Sequence, residues 1–269
     1  MHEKGEAGRI FRPEGLDLPA FSAADGNNGV NVFRKNIGMP CSNTVCASWN
    51  PELAYDVGRV IAEEARENDI QMILAPGMNI HRNPLNGRHP EYFSEDPVLT
   101  GVMAGFQSKG LEDHGVSSCM KHVIANNAES SRKRNNSLIP ERALREIYLK
   151  AFEVAFSVHI PDSIMTGYNA VNGCFAAADE ELIEGVFCRE FGFDGFVMTD
   201  WNSYDSAGVV GPVAAGNCWI TPGTQDDTYV TPIIDGVNSG EIEIGRLREN
   251  VRKILRVVQK RSGKDLGVN

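Results

Sequence analysis

Short apolar runs alternate along this chain with longer amphipathic stretches. The short runs are mostly apolar, as is typical of strands that are buried on both faces of a sheet. They predict strands over Gln71–Ala75, Val116–Met120, Ser163–Gly167, Gly195–Thr199 and Asn217–Ile220. Strands of this kind that alternate with helices form a parallel sheet with right-handed crossovers.

The amphipathic stretches have apolar residues at helical spacing. They predict helices over Pro51–Glu67, Pro140–His159 and Ile244–Lys260. Asn50 and Pro51 suit the N-cap and the first position of the first helix. In the last helix we expect basic residues outside and a buried stripe made of Leu247, Val251, Ile254 and Val258.

Periodicity alone does not decide whether the sheet is a closed barrel or an open, doubly wound sheet. Polar residues favour the barrel, because Asp200, the pair Lys121-His122 and the pair Tyr168-Asn169 each follow a predicted strand directly. In a barrel such strand ends converge on one mouth, whereas in an open sheet they spread along an edge. We therefore predict an α/β fold, a single TIM-like (β/α)8 barrel over residues 1–269.

Composition narrows the possible partners. The chain has 269 residues, 42% of them hydrophobic, and a net charge of −10, which argues against nucleic acid and anionic membranes as partners. No secretory leader and no apolar run of ~18 residues is present. The six cysteines form no C-x-x-C pair, so we expect reduced thiols in a cytoplasmic protein, although a leader removed earlier would leave the same sequence.

No cofactor is indicated either. The chain has no G-x-G-x-x-G after its first predicted strand and no P-loop, so a nucleotide site lacks its usual support. We expect no metal and no cofactor, and association of identical chains stays open. Ser130–Ser137, rich in Ser, Arg and Asn, predicts an exposed loop.

Asp200 is the leading candidate for chemistry. It ends an apolar strand and is followed by Trp201, and a carboxylate beside an aromatic ring suits an oxocarbenium-like sugar transition state. An isolated Asp at a strand end is more often a turn residue or a helix N-cap. Likewise Lys121 and His122 could be an exposed lysine and a core histidine, and Arg88 and Glu91 could be a surface ion pair.

The segment before the next helix also has a local interpretation. Ser94 could be the N-cap of a helix in which Pro97 stands near the first position, with acidic residues in the first turn.

Four motifs in order resemble glycoside hydrolase family 3, the β-glucosidase-type retaining hydrolases. They are Gly87-Arg-His-Pro-Glu-Tyr-Phe-Ser-Glu-Asp-Pro97, Lys121-His-Val-Ile-Ala-Asn-Asn-Ala-Glu129, Met165-Thr-Gly-Tyr-Asn-Ala-Val-Asn-Gly173 and Phe193-Asp-Gly-Phe-Val-Met-Thr-Asp-Trp201. The resemblance extends from about Asp25 to the last helix. Because Asp25 comes early in the chain, we expect the barrel to be incomplete at its N-terminus.

The resemblance implies a role for each matching residue. Asp200 matches the nucleophile that forms a glycosyl-enzyme ester. The residues matching sugar-binding positions are Asp25, Arg88, Lys121, His122, Glu129, Arg132, Met165, Tyr168 and Trp201. Lys121, His122 and Arg88 would be cationic donors that lower carboxylate pKa values. The implied substrate is a β-linked glycoside or oligosaccharide, cleaved from its end.

The chain also departs from the family pattern. Where the family has Asp-Gly-Pro-x-Gly-x-Arg, this chain has Asn27 for the proline and Asn31 for the arginine. The loss of that cation is expected to alter the sugar preference of the outer subsite. Trp219 also stands in a segment where the family differs, and we expect it to reshape one side of the mouth.

The motifs identify a nucleophile but no general acid. A retaining glycosidase needs a second carboxyl group with a raised pKa, and the resemblance places it in a C-terminal α/β sandwich domain that this chain lacks. We expect the acid/base to come from that domain or from a partner chain. The alternatives are a non-catalytic sugar-binding or assembly subunit, and a Schiff-base barrel enzyme that uses Lys121.

Overall fold

The computed structural model describes residues 4–10, 12–224 and 226–268. Its strands are β1 (Gly8–Arg9), β2 (Ser22–Asp25), β3 (Met72–Leu74), β4 (Ser117–Val123), β5 (Asn136–Ser137), β6 (Ser163–Thr166), β7 (Ala170–Val171), β8 (Cys174–Phe175), β9 (Phe196–Thr199) and β10 (Asn217–Trp219). A seven-stranded sheet has the order β1-β2-β3-β4-β6-β9-β10, and β5, β7 and β8 form a small second sheet. In the large sheet all neighbours are parallel except the β1–β2 pair.

Helices surround the large sheet. The α-helices are α1 (Ser42–Cys46), α2 (Pro51–Glu67), α3 (Pro97–Asp113), α4 (Glu141–Ala143), α5 (Leu149–Val158), α6 (Tyr204–Ala207), α7 (Val210–Ala215), α8 (Val230–Ser239) and α9 (Ile244–Ser262). Leu144–Tyr148 and Glu181–Glu190 are π-helical, and His89–Glu91 and Ala176–Ala178 are 3₁₀ turns. No helix in the described ranges is long and apolar enough to cross a membrane.

The five predicted strands and the three predicted helices are present. The Asn50 side chain accepts the N–H groups of Glu52 and Leu53, which confirms the predicted N-cap of α2. The prediction of Ser94 as the cap of α3 was wrong, because the Asp96 side chain accepts the Leu99 N–H. The predicted loop 130–137 ends in strand β5, whose Ser137 is buried.

The sheet is curled but does not form a closed eight-stranded barrel, and we had expected a barrel that is incomplete at its N-terminus. Among the described residues it has seven strands, and no backbone pairing joins its edges β1 and β10. β1 is only two residues long and antiparallel to β2, so it cannot continue the parallel ladder. The edges nevertheless approach, since a Cβ at Gly8 would lie 3.2 Å from the Trp219 ring. The chain therefore has a mixed α/β fold that is consistent with an incomplete barrel.

Alternate strand residues separate into two apolar clusters, as the period of two along a strand requires. One cluster packs between the sheet and the helices and includes Ala24, Ile73, Met120, Ile164 and Val197. The other fills the inside of the curl and includes Ala23, Met72, Leu74, Cys119, Met165, Met198 and Trp219. The side chains at the carboxyl ends of the inward-facing series therefore point into the curl. All six cysteines are free thiols, of which Cys119 is buried and Cys218 is partly exposed.

The last turn of helix α9 lies at the amino ends of β4 and β6, where Arg261 Nε donates to Ser117 and Asp162. The buried face of α9 differs from the prediction. Val251 is 49% exposed, while the buried positions are Asn250, Lys253, Val257 and Val258. The basic residues are not all outside, because α9 packs against buried acids as well as against the apolar interior.

The acids under α9 are Glu112 and Asp162. The Arg261 side chain is 6% exposed and lies 2.7 Å from Glu112 Oε2 and 2.5 Å from Asp162 Oδ2. Burial on its own raises the pKa of Glu112, but His159, Arg261 and Lys260 outweigh it and lower that pKa to about 2. Removing one partner from such a cluster leaves a buried charge without compensation.

We predict that Arg261→Met lowers the free energy of unfolding by about 3–5 kcal/mol, because Glu112 and Asp162 would both lose their buried counter-ion. Urea denaturation followed by circular dichroism measures the change. The matched control is Arg252→Met, on the exposed side of α9 beside Glu249, where we expect a change below about 1 kcal/mol. Equal effects of the two substitutions would contradict the proposed contribution of the buried cluster to the free energy of unfolding.

Candidate active site

Three strands have a charged side chain on the inner face of the curl, at or near the carboxyl end of the strand. Two residues beyond the inward-facing Ala23, Cys119 and Met198 lie Asp25, Lys121 and Asp200. We had expected Lys121 and His122 to follow strand β4. They lie within it instead, because β4 extends to Val123. The inward series thus changes from apolar to charged at the carboxyl ends, where barrel enzymes have their active sites.

A cavity of about 370 Å³ opens at this place, which is in the size range of small-molecule sites. Its wall includes eight of the residues that the sequence singled out, namely Asp25, Arg88, Lys121, Arg132, Met165, Tyr168, Asp200 and Trp201. It also includes three that the sequence did not, namely Glu6, Ala7 and Leu74. The residues of the four motifs thus meet at one hollow.

Asp200 lies at the wall of the cavity and is 8% exposed. Its Oδ1 accepts the Trp201 N–H at 2.6 Å. Burial raises the pKa of Asp200, and the charges of Lys121 and Arg88, together with the Trp201 N–H and the Tyr168 hydroxyl, oppose that rise. The cations thus act on the pKa of Asp200 in the expected direction, but burial outweighs them and the net shift is upward.

His122 lies beneath Asp200 and is 1% exposed. Its Nε2 lies 3.4 Å from Asp200 Oδ2 and 2.9 Å from Arg88 Nη2. Burial and the neighbouring cations Arg88 and Lys121 lower the pKa of His122 well below its usual value, so the ring is neutral. His122 is thus neither a cationic donor nor part of the cavity wall, unlike what the sequence suggested.

Arg88 pairs with Glu91, and Asn27 in turn holds Glu91. Arg88 Nε donates to Glu91, and Asn27 Nδ2 donates to the other Glu91 oxygen at 2.7 Å. The Asn27 Oδ1 in turn accepts the Gly77 N–H at 2.7 Å. Arg88 and Glu91 are 17% and 19% exposed, so they are not a surface pair. Asn27, where the family pattern has proline, therefore supports the cation beside Asp200.

The wall also contains two aromatic side chains, Tyr168 and Trp201. The Arg132 guanidinium lies 4.2 Å from the centre of the Tyr168 ring, and its Nη1 donates to Glu129 at 3.1 Å. Lys121 Nζ lies 3.4 Å from Asp25 Oδ1. Charged groups and flat rings therefore surround the same hollow, an arrangement that suits a ligand with many hydroxyl groups and apolar C–H faces.

The N-terminal segment completes the wall beside Trp201. A Cβ at Gly8 would lie 3.6 Å from the Trp201 ring, an ordinary van der Waals distance, and 3.2 Å from the Trp219 ring, a tight contact that requires a small shift of that ring. We had expected Trp219 to reshape one side of the mouth. Trp219 is instead buried in the interior cluster and is not part of the cavity wall. The segment carries no periodic pattern, and for this reason the sequence did not indicate Glu6 and Ala7.

Comparison with known proteins agrees with this geometry. Residues 9–257 match the family model described as the glycosyl hydrolase family 3 N terminal domain. The chain therefore belongs to glycosyl hydrolase family 3.

Its relatives are named as β-glucosidases. The chain is 44% identical over 190 residues to a β-glucosidase of Ruminococcus albus, covering 70% of this chain and 20% of the relative. It is 35% identical over 249 residues to a probable β-glucosidase I of Aspergillus flavus, covering 90% and 29%. The chain thus spans a fifth to under a third of the length of these relatives.

A solved structure shows the same fold. β-Glucosidase 3B of Thermotoga neapolitana in complex with α-D-glucose has a TM-score of 0.90 and 39% identity, covering 97% of this chain and 38% of that one.

We predict that Lys121→Met raises the pKa of Asp200 further, because the cation that favours the ionised carboxylate is lost while burial remains. A ¹³C NMR titration of the Asp200 carboxyl measures the shift. Lys109→Met, which removes an exposed lysine paired with Asp113 on α3, is the control and should leave the titration unchanged. An unchanged or lowered pKa in Lys121→Met would contradict the electrostatic account of the site.

Proposed function

We propose that this chain is the nucleophile-bearing domain of an exo-acting retaining glycoside hydrolase of the β-glucosidase type. The observation that carries the proposal is the position of the Asp200 carboxyl, at the wall of a cavity of about 370 Å³ beside Trp201. The names of the relatives and membership of the family point to the same chemistry.

In this mechanism the sugar occupies the cavity with its C–H face against Trp201. Asp25 and Lys121, which pair with each other at 3.4 Å, exchange that contact for hydrogen bonds to sugar hydroxyls. Arg88, Arg132 and Tyr168 are the other polar groups on the wall. The ligand is a β-linked glycoside or oligosaccharide with its terminal residue in the hollow.

Asp200 is the nucleophile. Its carboxylate attacks the anomeric carbon, the bond to the leaving oxygen breaks, and a glycosyl ester forms that water later hydrolyses. The attack requires the ionised carboxylate. Since burial raises the pKa of Asp200, the cations Lys121 and Arg88 are needed to keep this anion available.

We also propose that the acid/base comes from outside the described residues, either from a further domain or from a partner chain. The other carboxylates on the described cavity wall are Glu6 and Asp25. Burial favours the protonated form of Glu6, but hydrogen bonds from backbone N–H groups and Arg9 outweigh it and lower its pKa, whereas a general acid needs a raised pKa. Asp25 is 55% exposed and paired with Lys121.

The absence of a suitable general acid from the described cavity wall favours a second candidate function, a sugar-binding subunit without turnover. A chain with a competent nucleophile still forms the glycosyl ester when the leaving group is a good one, because departure of such a group needs little help from an acid. A chain that only binds sugar forms no ester with any substrate. Covalent labelling therefore separates the two functions.

We predict that dinitrophenyl 2-deoxy-2-fluoro-β-glucoside labels the wild-type chain at Asp200, and that Asp200→Asn abolishes the label while glucose binding survives. Peptide mapping by mass spectrometry measures the label, and calorimetry measures glucose binding. The matched control is Asp194→Asn, an exposed aspartate before the amino end of β9, which should be labelled like the wild type.

Two outcomes would contradict this assignment. Undiminished labelling of Asp200→Asn would show that another residue is the nucleophile. Absence of a label on the wild type, with glucose binding intact, would favour the sugar-binding subunit.

A further inference from the structure

Asn79, which the sequence did not single out, holds the backbone of His122. Its side chain is 3% exposed. Its Oδ1 accepts the His122 N–H at 3.0 Å, and its Nδ2 donates to the His122 carbonyl oxygen at 2.8 Å. These two bonds fix the orientation of the amide. A flipped amide would set its NH₂ group against an N–H and its oxygen against a carbonyl.

The fixed amide also determines which ring nitrogen of His122 carries hydrogen. Asn79 Oδ1 lies 3.1 Å from Nδ1, and a carboxamide oxygen only accepts. On the other side of the ring, Arg88 Nη2 lies 2.9 Å from Nε2, and a guanidinium only donates. Both neighbours are satisfied when Nδ1 carries the hydrogen and Nε2 has the lone pair.

The hydroxyl of Tyr92 does not reverse this assignment. It lies 3.2 Å from Nδ1 and can either accept from or donate to this nitrogen. In the opposite tautomer Tyr92 would donate to Nδ1, but the Asn79 oxygen would then face a lone pair and Arg88 would face an N–H. Two repulsive contacts would replace two hydrogen bonds. Burial and the neighbouring cations lower the pKa of His122 well below its usual value, so a doubly protonated ring does not arise at neutral pH.

We propose that Asn79 is a positioning residue that fixes the Nδ1–H tautomer of His122 and thereby keeps a hydrogen-bond donor away from Asp200. Nε2 lies 3.4 Å from Asp200 Oδ2, and in this tautomer neither atom carries hydrogen.

The tautomer matters for the chemistry of Asp200. In the Nε2–H form the positive end of an N–H dipole would lie near the carboxylate oxygen 3.4 Å away, which would stabilise the negative charge of Asp200 and weaken it as a nucleophile. Arg88 would also lose its acceptor on His122. The catalytic part of this inference rests on the proposed function of Asp200, whereas the tautomer itself does not.

Long-range ¹⁵N–¹H correlation spectra of the ¹⁵N-labelled chain at neutral pH test the tautomer directly. The His122 signals are assigned by their loss in His122→Gln. We expect Nδ1 to have the shift of a protonated nitrogen and Nε2 that of an unprotonated one. The reverse pattern in the wild type would overturn the proposal, whatever the activity of the chain.

Asn79→Ala tests the part played by the amide. With Oδ1 gone, Tyr92 can donate to Nδ1, and we expect the population of the Nε2–H tautomer to rise. Labelling of Asp200 by the dinitrophenyl 2-deoxy-2-fluoro-β-glucoside should slow by about tenfold, because an N–H dipole near the carboxylate stabilises the anion more than the transition state, in which its charge is partly lost.

The matched control is Asn250→Ala, which also removes a buried asparagine whose Nδ2 donates to two backbone carbonyls. Asn250 belongs to α9 and is not part of the cavity wall. The control variant should lose comparable thermal stability and keep both the wild-type tautomer and the wild-type labelling rate. A folded Asn79→Ala chain with both unchanged would refute the proposal. Absence of labelling in the wild type would refute the glycosidase function instead, and the NMR result would still decide the tautomer.

Discussion

The burial of one carboxyl group, that of Asp200, is the constraint on which the site depends. An ionised carboxylate loses its hydration on burial, and its pKa rises unless charges or hydrogen bonds compensate. Lys121 and Arg88 supply the charges. These cations need support in turn, which Asp25 gives to Lys121 and the pair Glu91 and Asn27 gives to Arg88. The protonation state of Asp200 is therefore a property of the whole polar network.

The curled sheet brings this network together. On β2, β4 and β9 the inward-facing residues Ala23, Cys119 and Met198 are apolar, and the next position in each inward series, two residues on, is charged. At the amino ends another charged cluster, formed by Glu112, Asp162 and Arg261, fixes α9 to the sheet. The apolar interior lies between the two, so the ionic cluster that stabilises the fold is separated from the one that surrounds the cavity.

Much of this arrangement could be predicted from the sequence. The strand that contains Lys121 and the strands before Tyr168 and Asp200 begin as short apolar runs, so the convergence of these residues followed from parallel strand topology. Residues 9–257 match the family that the motifs resembled.

What the sequence could not show depends on contacts distant along the chain. Glu6 and Ala7 reach the cavity wall just before an antiparallel strand of two residues, which leaves no periodic signal. The burial of Arg261 and the neutral state of His122 result from partners on other elements. Asn79 resembles any loop asparagine until its distance from His122 is known. Local pattern therefore predicts the elements and the leading site residues, whereas burial and charge state require the tertiary structure.

The most direct test of the account is a crystal structure of the chain with glucose bound. The account predicts a pyranose ring in the cavity, its C–H face against Trp201, its anomeric carbon facing the Asp200 carboxyl, and its hydroxyls within hydrogen-bonding distance of Asp25 and Lys121. Glucose bound at another surface, or an Asp200 carboxyl separated from the sugar by other side chains, would contradict it.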